Sequence, residues 1–253
     1  KSLLDLLSIP VYILDKDSDI PALVSKAAEQ TRNEQRPVAL LVRKNTFEKY
    51  PDQVKKHKSE QLTREKALET VISSLDSSIP VISTTGKLSR ELYELRKNNN
   101  GEKEQRDFLT VGGMGHASSI AAGFANSYKG KVACIDGDGS LIMHMGALTT
   151  SAKISNLLHI VFNNGAHESV GGQPTMGLEL SLKDIAAKCG YGEIHEACSE
   201  ESIREVLSDA ANAKTSVFVE INCSNSSRPD LGRPEQSTRK NRDDFMNFVS
   251  KKI

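Results

Sequence analysis

The chain of 253 residues contains no tryptophan, few aromatic residues and no excess charge of either sign. Its 33 basic residues equal its 33 acidic residues, so no overall charge favours a nucleic acid or a membrane surface, and we expect neither as a partner. No apolar run approaches the roughly 20 residues of a membrane-spanning helix, and the apolar stretch at the start of the chain is too short for a secretory signal. We therefore expect a cytoplasmic protein.

Cysteine is also scarce. The four cysteines, Cys134, Cys189, Cys198 and Cys223, show no C-x-x-C spacing, which argues against a zinc cluster and against a disulfide framework. The chain begins at Lys1 rather than at methionine, and we expect a further segment to precede it.

Hydrophobic patterning divides the chain into three parts. Residues 1–47 provide two strands with one helix between them, too little for an independent core, so we interpret them as the end of a larger α/β domain. Residues 48–61 are polar and charged, which is typical of a linker. Residues 62–253 alternate strands with helices of about ten residues, which predicts a doubly wound, mainly parallel sheet with helices on both faces and a helical tail.

Four unusual loops follow strands of this predicted sheet. Their sequences are TTGKLS, GGMGHASS, DGDGS and NNGAHESVGGQ, which begin at Thr84, Gly112, Asp136 and Asn163. Ligands of parallel sheets bind where the strands end, and the helix after each loop offers free N–H groups and a partial positive charge. The four loops together therefore predict a site for a polyanion.

The loop TTGKLS taken alone suggests a nucleotide-binding P-loop. The match fails because Val81 stands where a glycine is required and Leu88 replaces the serine or threonine after the lysine. A position for Lys87 near a phosphate stays a reasonable expectation.

The loop VGGMGHASS resembles part of a dinucleotide fingerprint, with Gly113 and Gly115 in a G-x-G arrangement. In that alternative Asp136, at the end of the next strand, would hold the ribose hydroxyls of a nicotinamide cofactor. The alternative gives no role to Asp138 or to the two asparagines that end the following strand.

Asp138 lies between two glycines at the start of a predicted helix, where its carboxylate suits a hard cation that bridges to a phosphate. An N-cap aspartate in a tight turn is the structural alternative. Asn163 and Asn164 end the neighbouring strand. A single helix over LIMHMGALTTSAKI is expected to carry the chain back across the sheet from Asp138 to these asparagines. Magnesium, which prefers oxygen ligands, suits Asp138, Asn164, a loop carbonyl and a diphosphate.

The motif Gly137-Asp138-Gly139-Ser140, followed after 22 residues by Asn163-Asn164, resembles that of thiamine-diphosphate-dependent enzymes. The resemblance implies that thiamine diphosphate and Mg²⁺ are cofactors. It implies that the metal ligands are the side chains of Asp138 and Asn164 and the backbone oxygen of Ala166. The cofactor itself is expected at Thr85, Gly86, Lys87, Gly112, Met114, Gly137, Gly139 and Ser140. In this set the Gly112 carbonyl would accept from the aminopyrimidine, and Met114 would hold the cofactor bent.

Within that family, the segments ISTTGKLSRELYELR, FLTVGGMGHASSIAAGFA and NNGAHESVGGQPT are similar to the phosphonopyruvate decarboxylases, with the sulfopyruvate decarboxylases as close relatives. The resemblance implies nonoxidative decarboxylation of a 2-oxo acid, 3-phosphonopyruvate, to phosphonoacetaldehyde and carbon dioxide, a step of phosphonate biosynthesis, in a homo-oligomer. His116 and His167 each follow a cofactor loop and are expected to face the substrate. Sulfopyruvate decarboxylation and a noncatalytic cofactor-binding subunit are the alternatives.

The chain departs from this family in one respect. The glutamate that activates the cofactor belongs to the upstream part of the pyrimidine-binding domain, and neither Glu29 nor Glu34 has the matching surroundings. Residues 1–47 resemble only the end of that domain, and residues 62–253 resemble the diphosphate-binding domain. We therefore expect the missing pyrimidine-binding domain to come in cis or from a second subunit, and the chain alone to be inactive.

Overall fold

The computed structural model describes residues 1–48, 62–100 and 106–251. The chain divides into two compact units, Lys1–Gln53 and Val54–Ile253. The predicted linker, residues 48–61, lies outside the described residues except for its first position. Across the described ranges, no helix combines the length and apolar character needed to span a bilayer. The cytoplasmic location stays a prediction.

The first unit is a small α/β segment with two strands that pair in parallel. Its elements are α1 (Ser2–Leu6), β1 (Val11–Leu14), α2 (Ile20–Glu34) and β2 (Ala39–Val42). Of its described apolar side chains only Leu14 and Ala27 are buried, whereas Leu40, Leu41 and Val42 of β2 are exposed. The unit therefore leaves exposed apolar surface of the kind that a complete domain buries. Its origin in a pyrimidine-binding domain stays a prediction.

The second unit is built on a six-stranded sheet in which all strands run parallel, as the alternating pattern predicts. In spatial order the strands are β4 (Asp107–Leu109), β3 (Val81–Ser83), β5 (Val132–Gly137), β6 (Leu157–Asn163), β10 (Val217–Asn222) and β9 (Glu193–Ala197). The chain runs from β3 outward to β4 and then returns to β5 on the other side of β3. The topological switch point, where such sheets bind ligands, is therefore between β3 and β5.

Successive strand residues point to opposite sides of the sheet. Because apolar residues occupy successive positions of the strands, both faces are buried, and helices cover each of them. Ile135 and Ile160 pack in one core with three helices, α3 (Arg64–Ser74), α4 (Lys87–Asn100) and α9 (Glu200–Asn212). Cys134 and Val161 face the opposite side. The helices of that side are α5 (Ala117–Ala125), α6 (Asp138–Met143), α7 (Leu148–Ser151), α8 (Leu182–Cys189) and α10 (Thr238–Ser250).

The crossover between β5 and β6 differs from the single helix expected from the sequence. Helix α6 ends at Met143, a 3₁₀ turn covers Met145–Ala147, and α7 follows. The break is at His144, whose φ of −134° is not helical and whose Nδ1 lies 3.2 Å from the carbonyl oxygen of Gly115. A contact with the loop after β4 thus accompanies the break.

The hydrophobic pattern of the sequence does not predict strand β9, which lies between α8 and α9 along the chain. Within the described parts of the chain it pairs with β10 alone, at the edge of the sheet. Glu193, His195 and Glu196 are not buried, so the apolar pattern that marks a central strand is missing. The loop after β6 also forms a short antiparallel pair, β7 (Ala166–His167) with β8 (Gln173–Pro174).

The opposite edge strand, β4, is covered by the tail helix α10. The amide nitrogen of Leu109 donates to Asn241 Oδ1 at 2.9 Å, and Asn241 Nδ2 donates to the carbonyl of Asp107 at 2.9 Å. The Phe245 ring lies 5.7 Å from that of Phe108 in an edge-on contact. Asn241 thus replaces the hydrogen bonds that a further strand would make and protects the edge of the sheet.

We expect Asn241→Ala to lower the free energy of unfolding by about 1–3 kcal/mol, because it leaves two buried backbone groups without partners. Chemical denaturation measures the effect. Asn247→Ala, at an exposed position of the same helix, is the matched control. Equal losses in the two variants would contradict the bridging role.

Candidate functional site

A cavity of about 300 Å³ lies at the edge where the parallel strands end, which we call the carboxyl edge. Segments that follow four strands line it: residues 84–88 after β3, Met114 after β4, residues 137–140 after β5, and residues 164 and 166–170 after β6. The four loops predicted from the sequence therefore meet at one site. Arg64 of α3 and Arg90 of α4 add two further positively charged side chains to its wall.

Three of these loops are joined through the hydroxyl of Ser140. Thr84 Oγ1 donates to Ser140 Oγ at 2.9 Å, and the amide nitrogen of Gly115 donates to the same oxygen at 3.1 Å. Ser140 and Thr84 are both buried. A serine hydroxyl accepts two hydrogen bonds and donates one, so these contacts leave its hydrogen for another acceptor.

Asp138 is the first residue of α6 and is only 2% exposed. Burial raises the pKa of its carboxyl group, and the hydroxyl of Thr175 together with the backbone N–H groups of Asn164 and Gly139 opposes the rise. Thr175 Oγ1 donates directly to Asp138 Oδ2. A carboxylate buried in this way is a group that a bound cation would stabilise.

The two asparagines of the motif have different surroundings. Asn163 Nδ2 donates to the carbonyl of Gly177 and to Glu220 Oε1, both at 2.7 Å. Asn164 instead lines the cavity. Its Oδ1 accepts from the backbone N–H of Ala166 at 3.1 Å. Asn163 therefore anchors the loop after β6, and Asn164 is available to a ligand.

A buried ionic network forms one wall of the site. Arg64 donates to both carboxylate oxygens of Glu91, from Nε at 2.8 Å and from Nη2 at 2.6 Å, and Nη1 donates to Glu168. Lys87 Nζ lies 3.6 Å from Glu168 Oε1 and donates to Ser227. Burial alone would raise the pKa of Glu168, but Arg64 and Lys87 outweigh it and hold that pKa below its usual range. Burial prevails at Glu91, whose pKa is raised despite Arg64.

Sequence reasoning missed Arg64, Glu91 and Thr175. Arg64 and Glu91 lie in amphipathic helices with other charged residues, and Glu168 is 104 positions away from its arginine. Thr175 belongs to a segment that the sequence marks as distinctive, yet no local pattern indicates its hydrogen bond to Asp138.

Most of the predicted site residues do meet at the cavity. Those that line it are Thr85, Gly86, Lys87, Met114, Gly137, Asp138, Gly139, Ser140, Asn164, Ala166 and His167. Gly112 and His116 are not among the lining residues; His116 is exposed, and its ring centroid is 4.7 Å from that of His144. The functional roles of all these residues stay predictions.

Two glycines allow neighbouring side chains to lie close to the backbone at the cavity. Gly86 has a φ of +105°, and a Cβ there would lie 2.7 Å from Ser169 Oγ. A Cβ on Gly139 would lie 2.7 Å from Nδ1 of His167. Neither position has room for a larger residue without displacement of its neighbour.

Asp136 has no access to a ligand, which argues against the dinucleotide alternative. It is 0% exposed, and one carboxylate oxygen accepts from the N–H of Gly137 at 2.9 Å. The other lies 3.6 Å from His159 Nε2, and His159 Nδ1 lies 2.8 Å from the hydroxyl of Tyr191. A carboxylate enclosed beneath the loop cannot hold a ribose.

The family described as "Thiamine pyrophosphate enzyme, C-terminal TPP binding domain" matches residues 85–221. The chain belongs to this family. Its larger unit is therefore a thiamine-diphosphate-binding domain, and the matched range contains all four loops of the cavity except Thr84.

Similar proteins include decarboxylases of two kinds. Phosphonopyruvate decarboxylase of Streptomyces viridochromogenes is 35% identical over 190 residues, which cover 74% of this chain and 46% of that protein. Sulfopyruvate decarboxylase subunit beta of Methanocaldococcus jannaschii is 31% identical over 155 residues, which cover 60% of this chain and 79% of that protein. The chain spans less than half the length of the Streptomyces phosphonopyruvate decarboxylases that it matches.

A solved structure of benzoylformate decarboxylase from Polynucleobacter necessarius has a TM-score of 0.58 at 14% identity, over 87% of this chain and 45% of that one. A thiamin diphosphate-dependent enzyme structure from Mycobacterium smegmatis has a TM-score of 0.52 at 18% identity, over 72% and 36% of the two chains. These likenesses confirm the predicted doubly wound α/β fold.

We expect Ser140→Ala to lower the free energy of unfolding by about 1–3 kcal/mol, because the Thr84 hydroxyl and the Gly115 N–H lose a shared buried acceptor. Urea denaturation followed by circular dichroism measures the change. Ser127→Ala, at an exposed turn, should have almost no effect. An unchanged stability of Ser140→Ala would show that the loops do not depend on this hydroxyl.

Proposed function

We propose that the chain supplies the diphosphate-binding half of a thiamine-diphosphate- and magnesium-dependent decarboxylase that converts 3-phosphonopyruvate to phosphonoacetaldehyde and carbon dioxide. The observation that carries this proposal is the presence of Asp138, Asn164 and Ala166 around one cavity at the switch point of the sheet. The names of the phosphonopyruvate decarboxylases that the chain resembles support the choice of substrate.

The residues at the cavity fit a magnesium diphosphate. A carboxylate, an amide oxygen and a backbone carbonyl are the hard oxygen donors that Mg²⁺ takes from proteins, and we assign these roles to Asp138, Asn164 and Ala166. The diphosphate would lie against Gly86, Lys87, Gly137, Gly139 and Ser140. Helices α4 and α6 begin within this set. In α4, the longer of the two, the N–H of Lys87 donates to Ser169 Oγ at 3.0 Å, and the next N–H groups of the first turn can face an anion.

Bound thiamine diphosphate supplies the sink for the electron pair that carbon dioxide leaves behind. The chain's part is to bind, orient and exclude water. His167 lies against Gly139 inside the cavity, where its ring can donate to the acid group of the substrate or move a proton. Met114 lines the cavity, which agrees with a role in holding the cofactor bent, and His116 and Gly112 keep their proposed roles toward substrate and aminopyrimidine.

The names of the sulfopyruvate decarboxylase relatives support sulfopyruvate decarboxylation as a second candidate. The chain covers 79% of subunit beta from Methanocaldococcus jannaschii and 71% of that from Methanothermobacter thermautotrophicus. Sulfopyruvate has the same 2-oxo acid group and differs in the second acid group, so the same cofactor loops would serve it.

We also propose that a pyrimidine-binding domain, in cis or on a second subunit, completes the active site. The exposed apolar residues of β2 support this proposal, as does the word "subunit" in the names of the sulfopyruvate decarboxylase relatives. A homo-oligomer in the cytoplasm is the expected form of the protein.

We expect thiamine diphosphate to bind the full chain only when Mg²⁺ is present, and Asp138→Ala to weaken this binding by more than about 100-fold, since it removes a charged metal ligand. Calorimetry with and without Mg²⁺ provides the measurement. Asp209→Ala, which removes an exposed carboxylate from α9, is the charge-matched control. Tight binding without Mg²⁺ would refute the metal assignment.

We expect the chain to turn over phosphonopyruvate when combined with its pyrimidine-binding partner, and to be inactive alone. The kcat/KM for phosphonopyruvate should exceed that for sulfopyruvate by on the order of 10-fold or more, because a site built for a dianion binds a monoanion less well. Assays of aldehyde formation with both acids measure the ratio. A preference for the sulfonate would overturn the choice of substrate.

A further inference from the structure

The side-chain amide of Asn164 is held between one hydrogen-bond donor and one hydrogen-bond acceptor. Its Oδ1 accepts from the backbone N–H of Ala166 at 3.1 Å, and its Nδ2 donates to Glu168 Oε2 at 3.3 Å. A rotation of the amide by 180° would place NH₂ against N–H and oxygen against carboxylate, two repulsive contacts. The carboxylate of Glu168 therefore fixes which side of the amide the oxygen occupies.

Glu168 is itself held in place from the far side. Arg64 Nη1 donates to Oε2, the same oxygen that accepts from Asn164, and Lys87 lies beside Oε1. Arg64 is 5% exposed and is fixed by its two hydrogen bonds to Glu91, which is fully buried. A planar guanidinium bound to two carboxylates has little freedom to move.

These contacts form a continuous series from the two helices α3 and α4 to the carboxyl edge. It passes from Glu91 through Arg64 and Glu168 to Asn164. All of these residues except Glu91 line the cavity. Such outer partners are known to orient the ligands of metal sites and to tune their affinity.

We propose that Glu168 is a positioning residue, which turns the amide oxygen of Asn164 toward the metal side of the cavity while Arg64 holds the Glu168 carboxylate in place. This inference rests on the proposed function, because it assigns the Asn164 oxygen to Mg²⁺. The amide oxygen keeps a second lone pair after it accepts from Ala166, so it can still bind the ion.

A role for Glu168 as a proton donor fits the geometry less well. Both of its oxygens already face cationic or N–H groups, from Arg64, Asn164 and Lys87. A proton on either oxygen would therefore face a donor instead of an acceptor, whereas a general acid needs an acceptor within reach of its proton.

The test is the Mg²⁺ dissociation constant of the full chain, measured by calorimetry at a fixed molar excess of thiamine diphosphate over the chain. We expect Glu168→Ala to raise this constant about 10- to 100-fold, the usual effect of losing an outer partner of a metal ligand. Glu168→Gln should recover most of the loss, because its amide oxygen can still accept from Asn164. Glu179→Ala, which removes an exposed carboxylate from the same segment, should match the wild type.

The outcomes separate the two proposals. A wild-type Mg²⁺ constant in Glu168→Ala, with binding abolished in Asp138→Ala, would overturn the positioning role and leave the proposed function intact. Binding of the cofactor by the wild type without Mg²⁺ would instead overturn the proposed function. A merely structural Glu168 would lower the melting temperature of the variant but leave its Mg²⁺ constant unchanged.

A second variant keeps the test decisive if Glu168→Ala does not fold, as judged by circular dichroism. Arg64→Lys keeps the positive charge but lacks the planar fork that reaches two carboxylates at once. We expect it to raise the Mg²⁺ constant several-fold, which is less than the effect of Glu168→Ala, because the Glu168 carboxylate remains and only its support is weakened. A wild-type constant in this variant would overturn the proposal.

Discussion

Two neighbouring parallel strands can be joined only by a chain that crosses back over the sheet, and the site depends on this constraint. All six strands of the larger sheet run parallel, so every loop that follows a strand lies at the carboxyl edge. The aspartate after β5 and the asparagines at the end of β6 are separated by a complete crossover. Even so, Asp138 and Asn164 line one cavity, and Asn163 anchors the loop beside it. The long spacing of the motif is therefore a consequence of the topology.

Charge burial is the second constraint on the site. Asp138, Glu91 and Arg64 are all at most 5% exposed, and a buried charge is costly unless it is paired. The structure pairs Arg64 with Glu91 and Glu168, and supplies Asp138 only with a hydroxyl and backbone N–H groups. The guanidinium is thus satisfied by the protein, whereas the carboxylate of Asp138 has donors but no cationic side chain among its bonding partners in the described ranges. A bound metal ion would supply the positive charge that the Asp138 carboxylate lacks.

The fold and the position of the site could be predicted because their signals are local. Strand and helix periods alternate clearly, and glycines mark the turns after β3, β4 and β5. The break at His144 could not be predicted, since it accompanies a contact with Gly115 of a distant loop. Strand β9 lacked an apolar pattern because it lies at the sheet edge. The link from Arg64 to Glu168 spans 104 positions, and no sequence pattern indicates which arginine of an amphipathic helix will be buried.

The paired asparagines show how one dipeptide serves two purposes. Residues at the end of a strand alternate in direction, so Asn163 and Asn164 cannot face the same ligand. Asn163 bonds to Gly177 and Glu220 and so holds the returning loop against β10. That loop carries Thr175, which donates to Asp138. The chain between Asn164 and Thr175 carries Glu168, which accepts from Asn164. The first asparagine thus fixes the loop whose residues orient both the second asparagine and the aspartate of the motif.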